Sequence, residues 1–423
     1  MPRAELTWPD YLTALESEYG KPALAVRHEI YFLMKRQYHS LKAIAAMLRE
    51  IWRLLRLPKQ TRIPENIRVF LVVTLQGPSG WATLLRAQKI LGEKGIHHAM
   101  IAHLRLRFDD TTSCSLARPS WNEMSQALLY GSRFLRLRRG KIGSLGVACC
   151  MVRHALWQSA WTRTTRSVID TKPIFLLHND FDMMSRALIA ATHKKVIIAC
   201  VQHGIPTDEF FPANAPTQIV WGKSSETAYR QCGYGGALII DGLGRGGVAA
   251  AHHEAPDHIL VLSQTHTPIY GIDLVPLFVE LAKELGAVLP STRILLHPEE
   301  ARPGLSPYPA SVEAQVQRPP HLQLTRAQVP CLVIAYSSTA MLEAALAGHY
   351  VVGMEWSVGA SKGAHHITRP PKICKDVNEA IAYFNELQQS SGSRAHHQQL
   401  QQAWLDTTYA PTGAFAAWVE QAL

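Results

Sequence analysis

Short apolar runs rich in β-branched residues alternate along this chain with longer stretches whose apolar positions recur every three or four residues. The run Ile67-Arg68-Val69-Phe70-Leu71-Val72-Val73 reads as a buried parallel strand. A Gly77-Pro78-Ser79-Gly80 loop follows it, then a helical stretch from Trp81 to Lys94 ended by Gly95, then a strand from His97 to Ala102. Further on the alternation becomes regular. Ile174 to Leu177, Val196 to Val201, Gln218 to Trp221 and Leu238 to Asp241 read as strands, with helices at Asp182 to Thr192 and Ser224 to Cys232. A Gly/Ala/His-rich piece, Gly242 to Ala255, reads as a linker. A second series then begins, with strands at Ile259 to Leu262, Arg293 to Leu296, Cys331 to Ala335 and Tyr350 to Met354. Its helices are expected around Val275 to Leu285 and from Ala340 to Leu346. Two βα series joined by a linker predict an α/β protein of two Rossmann-like domains facing a cleft, over 63–247 and 256–423.

The first 62 residues read differently, as a basic helical extension. From Ile30 to Arg62 there are eight Lys and Arg residues (Lys35, Arg36, Lys42, Arg49, Arg53, Arg56, Lys59 and Arg62) against one acid, Glu50. Ile44, Met47, Leu48, Ile51, Leu54 and Leu55 recur at helical spacing, and Pro58 stops the pattern. Such a helix can lie on an anionic membrane surface or pack on the protein with its basic face in water, and the two are compatible. A second basic helical region spans 120–170, with Arg133, Arg136, Arg138, Arg139 and Lys141.

Composition narrows the partners. With 423 residues and 47% hydrophobic content the chain can build two cores. Lys plus Arg is 43 against 33 Asp plus Glu, a net charge of +10, which points to an anionic partner. Nucleic acid is disfavoured because the cations are not interleaved with aromatics. Seven cysteines without a CxxC give no disulfide framework or zinc module and suit a reducing cytoplasm. The first residues, Met1-Pro2-Arg3-Ala4-Glu5, lack a signal-peptide pattern, and no apolar run reaches the roughly 20 residues of a membrane span. A soluble or peripheral protein is expected.

Several polar groups fall at strand C-terminal ends, where open α/β sheets bind ligands. Tyr336-Ser337-Ser338-Thr339 lies between a strand and a helix. Its hydroxyls are ordinary helix caps, or with free backbone N–H groups they form a phosphate cradle. Glu343, one turn on, reaches a ribose or simply favours the helix N-terminus. His297-Pro298 follows the strand Arg293 to Leu296, and Ser263 follows Ile259 to Leu262. Ser263, His297, Pro298, Ser337, Ser338, Thr339 and Glu343 form the expected nucleotide-binding set. In the first domain His178-Asn179-Asp180 and Gln202-His203-Gly204 end two strands, with Asp208 and Glu209 just beyond. An acid and a histidine aimed into one cleft suit general-base work, and Asp180 with His203 is the expected pair. Each can equally cap a neighbouring helix. Gly242-x-Gly244-x-x-Gly247 superficially matches a dinucleotide fingerprint, but no long helix follows, so the linker reading is preferred. The doublets His97-His98, His252-His253, His365-His366 and His396-His397 lack metal-ligand spacing, and no metal site is expected.

The order QHG, Val220-Trp221-Gly222, Gly233, HP, then SST-x-x-x-EA-x-x-x-G resembles bacterial surface-polysaccharide glycosyltransferases of the GT-B type, over roughly Ile174 to Met354. The likeness is greatest to capsule and lipooligosaccharide enzymes that use CMP-activated acidic sugars, the sialyl and Kdo transferases. There an HP motif and an S-S/T motif bind CMP, which implies His297-Pro298 and Ser337-Ser338-Thr339 here. The resemblance implies an inverting transfer without metal or further cofactor, from a nucleotide-sugar donor to a glycan or glycolipid acceptor. His297 would stabilise the leaving phosphate. The acidic base motif of those families has no counterpart here, and Asp180, Asp208 and Glu209 stand for it by position alone. CDP-glycerol polyol-phosphate transferases share the histidine-and-serine pattern, and a nucleotide-sugar epimerase shares the two-domain cleft. Both remain alternatives.

Overall fold

The computed structural model describes residues 7–35, 40–61, 66–74, 78–102, 113–135, 143–166, 168–192, 196–250, 254–264, 274–298, 300–301, 306–317, 329–356 and 368–423. Two all-parallel sheets carry it. The first holds β1 (Val69–Val73), β2 (His98–Ala102), β3 (Ser113–Cys114), β4 (Ile174–Leu177), β5 (Ile197–Val201), β6 (Thr217–Val220) and β7 (Ala237–Ile240), in the order 3-2-1-4-5-6-7. The second holds β8 (Ile259–Leu262), β9 (Arg293–Leu295), β10 (Val316–Gln317), β11 (Leu332–Ala335), β12 (Tyr350–Met354) and β13 (Lys372–Cys374), in the order 10-9-8-11-12-13. Both sheets start centrally, run to one edge and restart beside the first strand. Each therefore has a switch point, between β1 and β4 and between β8 and β11. The expected pair of Rossmann-like domains is present.

Period-two alternation fills both faces of the first sheet. Phe70, Val72, Phe175 and Leu177 face one way and pack with Trp8, Tyr11, Trp157 and Trp161. Val69, Leu71, Ile174 and Leu176 face the other way, against Leu84 and Leu91 of α4 (Pro78–Glu93). The expected loop at Pro78 to Gly80 is the first turn of that helix, with proline in its opening position. Gly77 lies outside the described residues.

Two of the expected boundaries are corrected. The first 62 residues are not a separate extension. Helices α1 (Trp8–Tyr19), α2 (Arg27–Lys35) and α3 (Ser40–Leu55) share one core with the sheet and with α5 (Trp121–Ser132), α6 (Ser144–Thr165) and α7 (Met183–Thr192). Their large aromatics cover a sheet face that would otherwise be wet. Of the cations noted there, Arg36 and Arg62 lie outside the described residues, as do Arg136, Arg138, Arg139 and Lys141.

The second unit also ends before the chain does. After α8 (Lys223–Gln231) in the first unit come α9 (Leu274–Val288), α10 (Ala340–Leu346), α11 (Val377–Gln389) and α12 (Ser391–Thr408). The last helix, α13 (Ala414–Ala422), then returns to the first sheet, burying Phe415 and Val419 beside Leu71 and Leu176. The crossing is tight. Ala410 N–H donates to Trp221 O at 2.7 Å, Gly242 N–H donates to Ala410 O at 3.2 Å, and Asp241 Oδ2 accepts from Gly413 and Phe415 N–H, each at 2.8 Å. A Cβ on Gly222 would stand 2.4 Å from Thr408 O, and one on Gly242 would stand 2.3 Å from Ala410 O. These glycines serve backbone approach. The described residues 243–250 form no helix, so the glycine pattern lacks the helix N-terminus a dinucleotide fingerprint requires.

Candidate functional site

The C-terminal edges of the two sheets meet past the ends of β5 and β11. Ile205 N–H, past the end of β5, donates to Thr339 Oγ1, past the end of β11, at 3.1 Å. The QHG turn is set by Gln202, whose Oε1 accepts Trp221 N–H and whose Nε2 donates to Ser225 Oγ and Gly204 O. The turn is thereby fixed against β6, and the Gly204 position packs against Thr339 Oγ1.

His203 sits in this turn, half-buried, stacked on Phe210 with ring centroids 5.2 Å apart. Burial lowers it to about 3, with the neighbouring His178 ring next in importance, so it is a neutral imidazole near neutral pH. Asp208 and Glu209 follow on a short turn held from behind by the N-terminal helices. His28 Nε2 donates to Glu209 O at 2.9 Å, Trp8 Nε1 to Phe211 O at 2.9 Å, and Arg27 Nη2 to Pro212 O at 2.8 Å. Glu209 is half-buried and accepts from Thr207 Oγ1 at 3.3 Å; exclusion of water raises its carboxyl to about 7. The Asp208 charge also reaches Tyr336 of the second unit.

Asp180 is 3% exposed, and its Oδ2 accepts from Asn214 N–H at 2.5 Å, Ala215 N–H at 2.7 Å and Gln218 Nε2 at 2.8 Å. Three donors converge on Oδ2 and tie the end of β4 to the 211–218 loop. The expectation of a base at Asp180 is therefore corrected: it is a buried structural acceptor. Asp182 is likewise absorbed, capping α7 through Ser185 and accepting from Thr74.

On the second unit Gln264, which sequence reasoning missed, organises the SST turn. Its Oε1 accepts Tyr336 N–H at 3.0 Å and Ser337 N–H at 2.8 Å, and its Nε2 donates to Ser337 O. The fully free backbone cradle is thereby narrowed. Ser338 Oγ caps Ala340 N–H, and Thr339 Oγ1 is taken by Ile205. Among the described residues no acceptor is recorded for the N–H groups of Ser338 and Thr339, which leaves these with Ser337 Oγ for an anion. Ser263 is 3% exposed and accepts from Tyr308 O–H at 2.8 Å, so it supports the floor rather than offering a free hydroxyl. His297 is half-buried and Pro298 exposed, in a turn closed by Glu300 Oε2 on His297 N–H at 3.0 Å.

Arg245, in the linker, was also missed. Its guanidinium lies 4.5 Å from the Trp221 ring centroid and donates to Thr83 Oγ1 at 2.5 Å. Burial lowers it to about 10, and its charge reaches His203 and the exposed Glu343. A cation thus stands at the back of the cleft. A lone linker arginine carries no sequence signal for this; only the fold brings it beside Trp221. A cavity of about 250 Å³ lined by Asp257, Arg293, Cys331 and His349 opens at the opposite edge of the second sheet and takes no part in the cleft. Among the described residues no three His, Cys, Asp or Glu side chains form a metal-binding group. His252, His253, His365 and His366 lie outside them.

The titration pattern gives a pH prediction. Burial holds His154, His178 and His397 to about 4, His203 to about 3 and His28 well below its ordinary value. Each stabilises the fold fully above about pH 6.5 and loses that contribution as pH falls toward its folded value. Burial raises Glu29 and Glu209 to about 7 and Asp180 above its ordinary value. These act oppositely, their contribution fading as pH rises. Five groups outweigh three, so the melting temperature is expected to fall from pH 7 to pH 5. A rise over that range in calorimetry would show that the carboxyls dominate.

No family model and no curated protein sequence matches the chain. Solved structures do resemble it. A putative UDP-N-acetylglucosamine 2-epimerase from Listeria monocytogenes superposes with a TM-score of 0.50 at 12% identity, over 84% of this chain and 95% of that one. TarM gives 0.48 at 10% identity, over 84% and 98%, and OtsA gives 0.47 at 10%, over 84% and 98%. At 12% identity the Listeria likeness concerns architecture alone: two Rossmann-like units in a GT-B-like arrangement.

Proposed function

We propose that the chain is a glycosyltransferase that moves a sugar from a nucleotide-activated donor on the second unit to an acceptor hydroxyl at the first. The Ile205–Thr339 contact carries this reading, because it sets the 203–209 turn opposite the SST turn. Glu209 takes the proton of the acceptor hydroxyl; a carboxyl near 7 is matched to that task at neutral pH. The freed oxygen attacks the anomeric carbon from the face opposite the leaving group, so configuration inverts. The glycosyl–phosphate bond breaks and its electrons leave with the nucleotide phosphate. Ser337, the N–H groups of Ser338 and Thr339, and His297 stabilise that charge without a metal ion. His203, kept neutral, orients the acceptor. The donor follows the motif order: a CMP-linked acidic sugar, with a surface glycan or glycolipid as acceptor.

A thermal-shift panel tests the nucleotide. CMP or CDP is expected to raise the melting temperature more than UMP or GMP, since a ligand that binds only the folded state stabilises it by mass action. Equal shifts remove the cytidine preference. No shift with any nucleotide removes the transferase reading. Inversion at C2 of a nucleotide sugar without acceptor would favour the epimerase.

A further inference from the structure

Helix α3 has two apolar stripes. One, with Ala43, Met47, Ile51 and Leu54, packs inward. The other, Leu41, Ala45, Leu48 and Trp52, faces water: Leu41 is 77% exposed, Leu48 56% and Trp52 52%. Helix α5 repeats the pattern. Its outer side carries Trp121 at 70% and Leu129 at 66%, with Leu128 between them and Leu135 just past the helix end. Thirteen large apolar side chains are exposed among the described residues; six belong to these two helices and a seventh, Leu135, follows α5 directly. Scattered exposed apolar residues are ordinary; this concentration is not.

Both helices lie on α6. Buried Glu50 fixes α3, accepting from Trp157 Nε1 at 2.8 Å and pairing with Arg153 at 3.8 Å. Gly131 fixes α5, where a Cβ would meet Val152 Cγ2 at 2.2 Å. They are also joined end to end. Arg118 N–H donates to Pro58 O at 2.8 Å, and Thr61 Oγ1 donates to Ser115 O at 2.6 Å. The Trp52 end of α3 therefore adjoins the Trp121 end of α5.

The charge around this surface has one sign. Between residues 40 and 61 the only acid is Glu50, which points inward. Lys42, Arg49, Arg56 and Lys59 are exposed, and the Arg56 guanidinium lies 3.3 Å from the Trp52 ring centroid. Glu123 of α5 is engaged by Ser120 N–H and Arg163.

We infer that the outer faces of α3 and α5 form one lipid-binding surface that seats the protein on a bilayer containing anionic phospholipid. The exposed leucines enter the acyl boundary, tryptophans occupy the headgroup level, and the cations pair with anionic headgroups. A second copy of this chain is a poor occupant, since it would oppose the same cations to one another. No helix among the described residues is long and apolar enough to cross a membrane, so the mode is peripheral.

The test uses the full chain without substrate, so it is independent of the proposed reaction. The protein is sedimented with vesicles of phosphatidylcholine, with or without phosphatidylglycerol. Binding is expected with phosphatidylglycerol and is expected to weaken as salt is added. Replacing Lys42, Arg49 and Arg56 together by glutamine should weaken it on the order of 100-fold, about fivefold per charge. The pair Trp52→Ala and Trp121→Ala should weaken it at every salt concentration. These side chains are exposed, so circular dichroism and melting should match the parent. Binding indifferent to phosphatidylglycerol, or undiminished in both variants, overturns the inference. A dimer in light scattering that the tryptophan pair dissociates also overturns it, assigning the face to a second copy.

Discussion

Exchanging Glu209 for glutamine is expected to lower turnover by roughly 100-fold or more while nucleotide binding stays near that of the parent. Glutamine keeps the size and the contact with Thr207 but cannot take a proton. The parent rate should climb with pH and level off above about 7, where the Glu209 carboxyl is ionised. In the glutamine variant that limb should vanish. Donor hydrolysis and transfer assays measure both. A near-parental rate in Glu209→Gln with a dead Asp208→Asn moves the base one residue back, and activity in both variants moves it to His203.

Asp180 should fail in a different way. Asp180→Ala leaves Asn214 N–H, Ala215 N–H and Gln218 Nε2 without their acceptor, in a place water does not reach. It also removes the carboxylate whose charge most favours protonated, buried Arg27. Breaking such a buried set costs about 3–5 kcal/mol. That should appear as a melting temperature lower on the order of 10 °C. Asp180→Asn should lose less, because one oxygen still accepts. A thermally normal Asp180→Asn that binds nucleotide yet does not turn over would restore Asp180 to the catalytic role its sequence position suggested.

The two readings of Asp180 mark what sequence can carry. A β-branched run such as Ile174 to Leu177 announces a buried strand, because alternation and burial act locally. Most central strands were legible to within a residue or two. The edge strands β3, β10 and β13 were not, since two or three residues hold no period. At the site, strand-end position identified the QHG and SST turns but not the direction of each side chain. Asp180 and His203 occupy equivalent-looking places, yet one turns inward to the 211–218 loop and the other lies in the turn that meets Thr339. Gln264 and Arg245 gave no local signal; their partners lie 72 and 162 positions away. From sequence, Trp8, Arg27 and His28 fall within a basic helical extension. Their role in holding the 209–212 backbone depends on contacts across more than 180 residues.

The return of α13 to the first sheet has a consequence for the order in which the molecule can assemble. The face of that sheet bearing Leu71 and Leu176 is closed by Phe415 and Val419. During synthesis the whole second unit must emerge before those residues exist. Until then the first unit has an open apolar face, and a fragment ending at residue 247 would carry that defect permanently. The second unit is therefore in effect an insertion within the first. Its completion, rather than that of the first sheet, sets when the full cooperative unit can close.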